Sequence, residues 1–228
     1  MPSKRIESFR QHGLSVPVVV RPGLMHWSFL LLGGSLLVGG SLFVLMSNEG
    51  ASDPIAWLAG LIGLPFFGVA FLWYFFLLAR AKKQGLISFS NAGLYYGMYD
   101  IEFAWDDMGP AWSYTVMGNT DVLFVLRNAS EYQKQLSGFA RWHFGLMERQ
   151  FRSKSGGALD QGVKAFGMLF GELGAGSDAV RALENARLRL QAEPGSAVLG
   201  LPSITRFGLS NDETIEIINT VVAEREAS

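Results

Sequence analysis

The sequence predicts a membrane-anchored α+β protein, in which a hairpin of two transmembrane helices precedes a small antiparallel β domain with a helical insertion and a C-terminal capping helix. Two charge-free stretches predict the hairpin: no Asp, Glu, Lys or Arg occurs from Pro22 to Asn48 or from Pro54 to Ala79. A helix of about 20 apolar residues spans a bilayer core. After Gly85, short runs that alternate apolar and polar residues are separated by turn sequences, which is typical of half-buried strands.

The charge distribution separates the two parts of the chain and excludes some partners. Residues 1–84 carry seven Lys or Arg and three Asp or Glu, whereas residues 85–228 carry twelve and seventeen. Phosphate contacts dominate the affinity of nucleic-acid binders, so we expect no nucleic-acid partner for this acidic domain. The chain has no cysteine, which excludes disulfides, a thiolate nucleophile and a Cys-ligated metal.

Basic residues flank the hairpin on both sides and predict its orientation. They are Lys4, Arg5, Arg10 and Arg21 before the first helix and Arg80, Lys82 and Lys83 after the second. The turn between the helices carries two acids and no base. Because cytoplasmic flanks are enriched in Lys and Arg, both termini are predicted to be cytoplasmic. The predicted segments are a cytoplasmic stretch (1–23), a first helix (24–46), an external turn (47–53) and a second helix (54–78).

Two other interpretations of these segments are less favourable. The first could be a signal peptide, but its basic residues lie far upstream and no convincing small-x-small cleavage site follows. Both could be core helices of a soluble protein, but such helices keep a polar stripe, and these segments are apolar on all faces.

Glycines within the two apolar segments predict where the helices pack. Small residues allow close approach of helices in lipid, and we interpret these five as the hairpin's own seam, with homodimerisation as the weaker alternative. They are Gly33, Gly40, Gly60, Gly63 and Gly68. Neither segment carries a charged residue, and intramembrane charges usually mark transport pathways. This pattern argues against a pump or an ion channel.

The remaining domain, residues 85–228, is predicted to begin as a meander of antiparallel strands. Apolar and aromatic runs joined by turn residues predict strands at 86–90, 94–99, 101–105, 111–117 and 122–126. A helical insertion at about 130–194 is predicted to contain a helix of about 20 residues capped by Asn128 or Ser130, a Gly- and Phe-rich stretch (163–173) and a helix at about 178–192. Strand character returns at 197–207, and Ser210 and Glu213 form a capping box for the last helix.

The runs LISFSNAGLYYG and IEFAWDDM resemble the bacterial pleckstrin-homology-like (PH-like) domains. In those domains two strands turn at a glycine and the third leads into a Trp-Asp-Ile-like corner, which Trp105, Asp107 and Met108 match. The chain is similar to a family with two N-terminal membrane helices before such a domain, whose strand-to-NPEEY junction LRNASEYQKQL matches. The resemblance covers residues 24–136 and 197–225; the insertion departs from it. It implies a small, partly open β-barrel plugged by a C-terminal helix, located at the bacterial inner membrane, and no established activity.

Residues that suggest chemistry have ordinary structural explanations. The histidines His12, His26 and His143 lack the spacing of a zinc motif. Adjacent carboxylates at Asp106 and Asp107 are more typical of a turn than of an acid–base pair. The GELGAG run at 171–176 lacks the lysine of a nucleotide loop. We therefore expect no enzyme, no cofactor and no metal.

The helix predicted from about residue 130 carries a basic face opposite an aromatic-rich apolar one. Its basic residues are Lys134, Arg141, Arg149 and Arg152. Such a helix can lie in the interface of an anionic leaflet. The alternative, which we favour, is that its apolar face packs on the domain.

These patterns predict a class of function. We expect a membrane-tethered, non-enzymatic binding or scaffolding module whose partners are the bilayer and either another protein or further copies of the chain. An accessory subunit that acts through its transmembrane hairpin is the main alternative. An enzyme with a site in the Gly- and Phe-rich insertion is a more distant one.

Overall fold

Two separately packed units make up the chain: Arg21–Leu86 forms one, and Met1–Val20 with Ile87–Ser228 forms the other. We call the second the α+β unit. The computed structural model describes residues 3–47, 53–116, 119–136, 138–152, 177–202, 206 and 208–227. The predicted stretches at 163–173 and 171–176 lie outside this range, as does most of the predicted external turn.

The helices and strands alternate along the chain. They are α1 Lys4–His12, β1 Val18–Val20, α2 Leu24–Met46, α3 Pro54–Gln84, β2 Ile87–Phe89, β3 Gly93–Tyr96, β4 Ile101–Ala104, β5 Met108–Val116, β6 Asn119–Leu126, α4 Ala129–Gln135, α5 Gly138–Arg152, α6 Ser177–Ala192, β7 Ala197–Leu201 and α7 Asn211–Glu226.

Helices α2 and α3 form the apolar unit, and both are long and apolar enough to cross a membrane. The helix α2 contains a π-helical turn at Phe29–Gly34, and α3 is capped by the Asp53 carboxylate and runs through Pro65. Most of their large side chains face outward; Leu24 is 86% exposed and Phe43 72%. A soluble helix would bury such side chains, so this unit carries its apolar surface on the outside.

Seven strands of the α+β unit form two antiparallel sheets in the orders β1-β2-β3-β4 and β5-β6-β7. Strand β1 precedes the apolar unit in the chain and pairs with β2, which follows it, so that Val18 lies opposite Phe89. Residues 1–23 were expected to be a cytoplasmic segment outside the domain. The helix α1 and the strand β1 within them are elements that the sequence analysis did not assign.

The main core lies on the inner faces of both sheets and extends to the helices at the two ends of the chain. Ile6 and Phe9 of α1 and Ile217 and Ile218 of α7 are buried in the same cluster as Phe124 of β6. The opposite face of the second sheet is covered by α6, which buries six residues there: Tyr114, Leu123, Val125, Ala186, Leu190 and Val198. Strand β6 is therefore buried on both faces, which explains its unbroken apolar run.

The expected barrel is not formed, because among the described strands the two sheets are not paired with each other. A 3-10 turn, Trp105–Asp107, separates β4 from β5. The Trp105 Nε1 anchors this corner by donating to the Ser90 carbonyl at 2.8 Å. At the outer edge of β5, the Asn219 side chain bonds both the N–H and the C=O of Ala111, at 2.7 and 3.1 Å. These groups are then unavailable to a neighbouring strand.

The helical predictions are confirmed at the end of the chain and wrong in the insertion. The capping box of Ser210 and Glu213 opens α7 as predicted, and the helix predicted at 178–192 is α6. The single helix predicted from residue 130 is instead two helices, α4 and α5, separated at 136–137. Gly138 has a φ of +53°, a left-handed conformation that an ordinary helix cannot continue through.

Candidate functional site

A groove of about 410 Å³ lies between the two ends of the α+β unit and is its best-formed concave site. Its walls come from α1 with the turn that follows, from one face of α7, and from the turn between β2 and β3. The lining residues are Phe9, Arg10, Gly13, Leu14, Asn91, Glu216, Thr220, Val221, Glu224 and Arg225. We call this the terminal groove.

Hydrogen bonds at the helix starts fix α1 against α7. The Ser3 hydroxyl caps α1 by accepting from the Ile6 N–H at 3.3 Å, while the Ser3 N–H donates to Glu213 Oε1 at 2.6 Å. The other Glu213 oxygen accepts from the Ser210 N–H at 2.8 Å. Burial alone would raise the pKa of Glu213, but these backbone donors outweigh burial and hold its pKa below the usual value.

A bidentate ion pair closes one wall of the groove. Arg10 Nε and Nη2 each lie 2.7 Å from an oxygen of Glu216. Because Arg10 is about half exposed, the pair adds little stability, but the fork geometry orients both side chains. The pair thereby neutralises one positive and one negative charge of the lining.

The floor of the groove is apolar and its rim is polar. Phe9, Leu14 and Val221 form the floor and are each at most 7% exposed. On the rim, Arg225 Nη2 donates to the Asn91 carbonyl at 3.1 Å. The other rim carboxylate, Glu224, is exposed and makes no hydrogen bond or ion pair with the described residues.

The glycines predicted as the hairpin seam occupy two kinds of position. A Cβ at Gly60 would come within 3.0 Å of Leu45, and one at Gly63 within 2.9 Å of Ser41 Oγ, so these two face α2. Gly33, Gly40 and Gly68 have no atom within 4 Å of such a Cβ. The structure therefore places only two of the five within the contact between α2 and α3.

The four predicted basic residues do not share one helix face, because Lys134 lies on α4 and the other three on α5. Lys134 is paired with Glu131 at 2.6 Å, and Arg141 is exposed. The side chains of Arg149 and Arg152 lie outside the described residues.

The apolar face of α5 packs inward, as in the alternative that the sequence analysis favoured. Phe144 is fully buried in the main core. His143 Nδ1 lies 3.0 Å from the Tyr99 hydroxyl, and burial lowers the pKa of His143. Trp142 is 59% exposed.

Asp107, one of the adjacent carboxylates, has a structural role. Its two oxygens accept from Asn128 Nδ2 at 2.7 Å and from the Tyr132 hydroxyl at 2.6 Å, which ties the corner before β5 to the start of α4. Within the described part of the chain, no cluster of three His, Asp or Glu side chains is arranged to hold a metal.

Sequence reasoning missed the terminal groove because it treated the N-terminal residues as a tail. The signals were present: Ser3 is a cap residue, Ile6 and Phe9 share a helix face, and a valine run that includes Val18 follows. Their pairing with α7 and β2, however, spans most of the chain.

Comparison of the chain with protein-family models, with curated proteins and with solved structures gave no match. The functional argument therefore depends on the fold and on the geometry of the described residues.

Proposed function

We infer that this chain is a membrane-tethered, non-enzymatic binding or scaffolding module, which presents a PH-like domain to a protein partner at the cytoplasmic face of the bacterial inner membrane. The observation that carries the proposal is the terminal groove, an open site with an apolar floor and a charged rim on a unit joined to two outwardly apolar helices.

Membrane anchoring is supported by the surface of α2 and α3. Their outward side chains include Leu36, Ile55 and Phe66, exposed by 75, 81 and 67%. Apolar patches of this extent are rare on soluble proteins, and lipid is the environment that would cover them.

The placement of both termini on one side is supported by the pairing of β1 with β2. Val18–Val20 precedes the two helices and Ile87–Phe89 follows them, yet the two strands are hydrogen-bonded neighbours. A hairpin that crosses the bilayer twice satisfies this pairing, and the basic flanks favour the cytoplasm.

A PH-like arrangement is supported by the order of elements. Sheets of four and three antiparallel strands are followed by a C-terminal helix, and the Trp105 corner lies where the resemblance expects it. Binding rather than catalysis is supported by Asp107, whose carboxylate is engaged by Asn128 and Tyr132.

The test is partner capture from bacterial membranes by crosslinking and co-purification in detergent. In one variant, residues 24–84 are replaced by an unrelated transmembrane hairpin while β1 and β2 are kept intact. We expect the same partner to be captured by both proteins. Turnover of a small molecule that depends on Asp106 or Asp107 would overturn the proposal.

A second function, an accessory subunit acting through the hairpin, is favoured by one observation. Gly33, Gly40 and Gly68 face open space in the single chain, and small residues commonly mark contacts between membrane helices. Loss of the partner in the hairpin replacement would support this function over the first.

A further inference from the structure

We propose that the terminal groove binds a lysine or arginine side chain from a basic, extended segment of a protein partner. This inference rests on the proposed binding function and names the chemistry of the partner. The charges of the groove, the shape of its floor and the position of Glu224 carry it.

The charges of the lining leave one carboxylate uncompensated. Arg10 and Glu216 neutralise each other at 2.7 Å, and Arg225 is engaged by the Asn91 carbonyl. Glu224 lines the same groove and bonds to none of the described residues. A cationic group is therefore the complement that the rim lacks.

The position of Glu224 in α7 strengthens this argument. It lies in the last turn of Asn211–Glu226, where the negative end of the helix dipole disfavours a carboxylate. The neighbouring Glu226 is compensated by Arg127 at 2.8 Å, but Glu224 is not. An uncompensated carboxylate at this end of a helix is unfavourable in the free protein and is relieved when a cation binds.

The floor fits the aliphatic part of a basic side chain. Phe9, Leu14 and Val221 present apolar surface below the carboxylate. Lysine and arginine bury their methylene stems on such surfaces while the charged group stays at the polar edge. A small, fully polar cation would leave the floor uncovered, so a side chain on a peptide fits better than a free ion.

The experiment uses the full chain in detergent micelles and follows the methyl NMR signals of Leu14 and Val221. The probes are acetylated, amidated pentapeptides of sequence Ala-Leu-X-Leu-Ala, in which X is lysine, norleucine or glutamate. We expect saturable shifts with the lysine peptide, about threefold weaker binding of the norleucine peptide, and the weakest binding of the glutamate peptide because Glu224 repels it.

Two variants and one control sharpen the test. Glu224→Gln should remove the preference for lysine over norleucine, and Thr220→Trp, which fills the groove from an exposed position, should weaken all three peptides about tenfold. Asp212→Asn is the matched control, because Asp212 is an exposed acid on the same helix outside the groove; it should change nothing.

Equal shifts with the lysine and glutamate peptides, no shift with any peptide, or an unchanged preference in Glu224→Gln would overturn the inference. A captured partner that leaves the Leu14 and Val221 signals unmoved would also overturn it, while the broader binding function would stand. Failure of the broader function would appear separately, as the catalytic turnover described above.

Discussion

At the scale of single residues, Gly93 shows how closely neighbouring strands approach. A Cβ at this position would collide with the carbonyl group of Phe103 on the paired strand β4. Backbone atoms of a sheet cannot move aside as the end of a flexible side chain can. The glycine is therefore required by space rather than by a left-handed backbone.

Gly93→Ala should lower the free energy of unfolding of the α+β unit by about 1–3 kcal/mol, as overpacking usually does. Gly145→Ala is the control: its Cβ would meet only the Gln133 side-chain amide at 3.0 Å, and in a helix alanine is favoured over glycine by about 0.5–1 kcal/mol. Urea unfolding of the detergent-solubilised chain, followed by tryptophan fluorescence, measures both. Equal effects of the two substitutions would contradict this explanation.

His143 should make stability depend on pH. Its pKa is lowered by burial, so the folded state binds a proton less readily than the unfolded state, whose histidine titrates near about 6.5. The stabilisation is complete above that value and is lost as the pH falls through it towards the lowered folded pKa.

His143→Gln, which keeps an acceptor for Tyr99, should flatten this part of the stability profile. Urea midpoints between pH 7.5 and pH 5 measure the effect, and His12→Gln serves as the control because His12 is exposed. If the two variants had the same slope, His143 would not be its source.

At the scale of elements, the C-terminal helix replaces a strand at the edge of a sheet. The Asn219 amide accepts from and donates to the backbone of Ala111, as a neighbouring strand would. Through this contact α7 limits the sheet and holds the second wall of the terminal groove beside it.

Asn219→Ala should therefore destabilise the α+β unit by about 1–3 kcal/mol, because two backbone groups of β5 lose their partner. Thr220→Ala, at the exposed neighbouring position, should stay within about 0.5 kcal/mol of the unaltered protein. The same urea titration compares them. A loss for Asn219→Ala no larger than for Thr220→Ala would mean that water satisfies the edge.

The sequence predicted local elements better than their partners. Alternation and turn residues located the strands near Ile101 and Val122, and the capping box located α7, because these signals lie within a few residues. The pairing of β1 with β2, the contact of α1 with α7, and hence the terminal groove join opposite ends of the chain, and no local pattern encodes them. The break at Gly138 was missed because glycine inside an apolar helical pattern is often tolerated.

At the scale of the whole molecule, the strand pairing gives a direct test of topology. Val19 and Ser88 are opposite each other, and paired strands bring Cα atoms to about 4.5–5.5 Å, within reach of a disulfide. Because the chain has no natural cysteine, Val19→Cys with Ser88→Cys can be oxidised without interference.

We expect this pair to crosslink in intact membranes and the pair Val19→Cys with Tyr95→Cys not to, because Tyr95 lies one strand further away. Mass shifts of a protease fragment detect the bond. Reporters fused before Met1 and after Ser228 should both be retained in the cytoplasm. Absence of the first crosslink would contradict placement of both flanks on one side of the bilayer.

The position of β1 also has a consequence for biosynthesis. The strand leaves the ribosome before the residues from 21 to 86, and its partner β2 comes after them. At roughly 5–20 residues per second, the edge of β1 waits on the order of several seconds, while the apolar segments are delivered to the insertion machinery. The α+β unit can complete its first sheet only after the nascent chain has made its return passage, so correct insertion acts as a checkpoint for its folding.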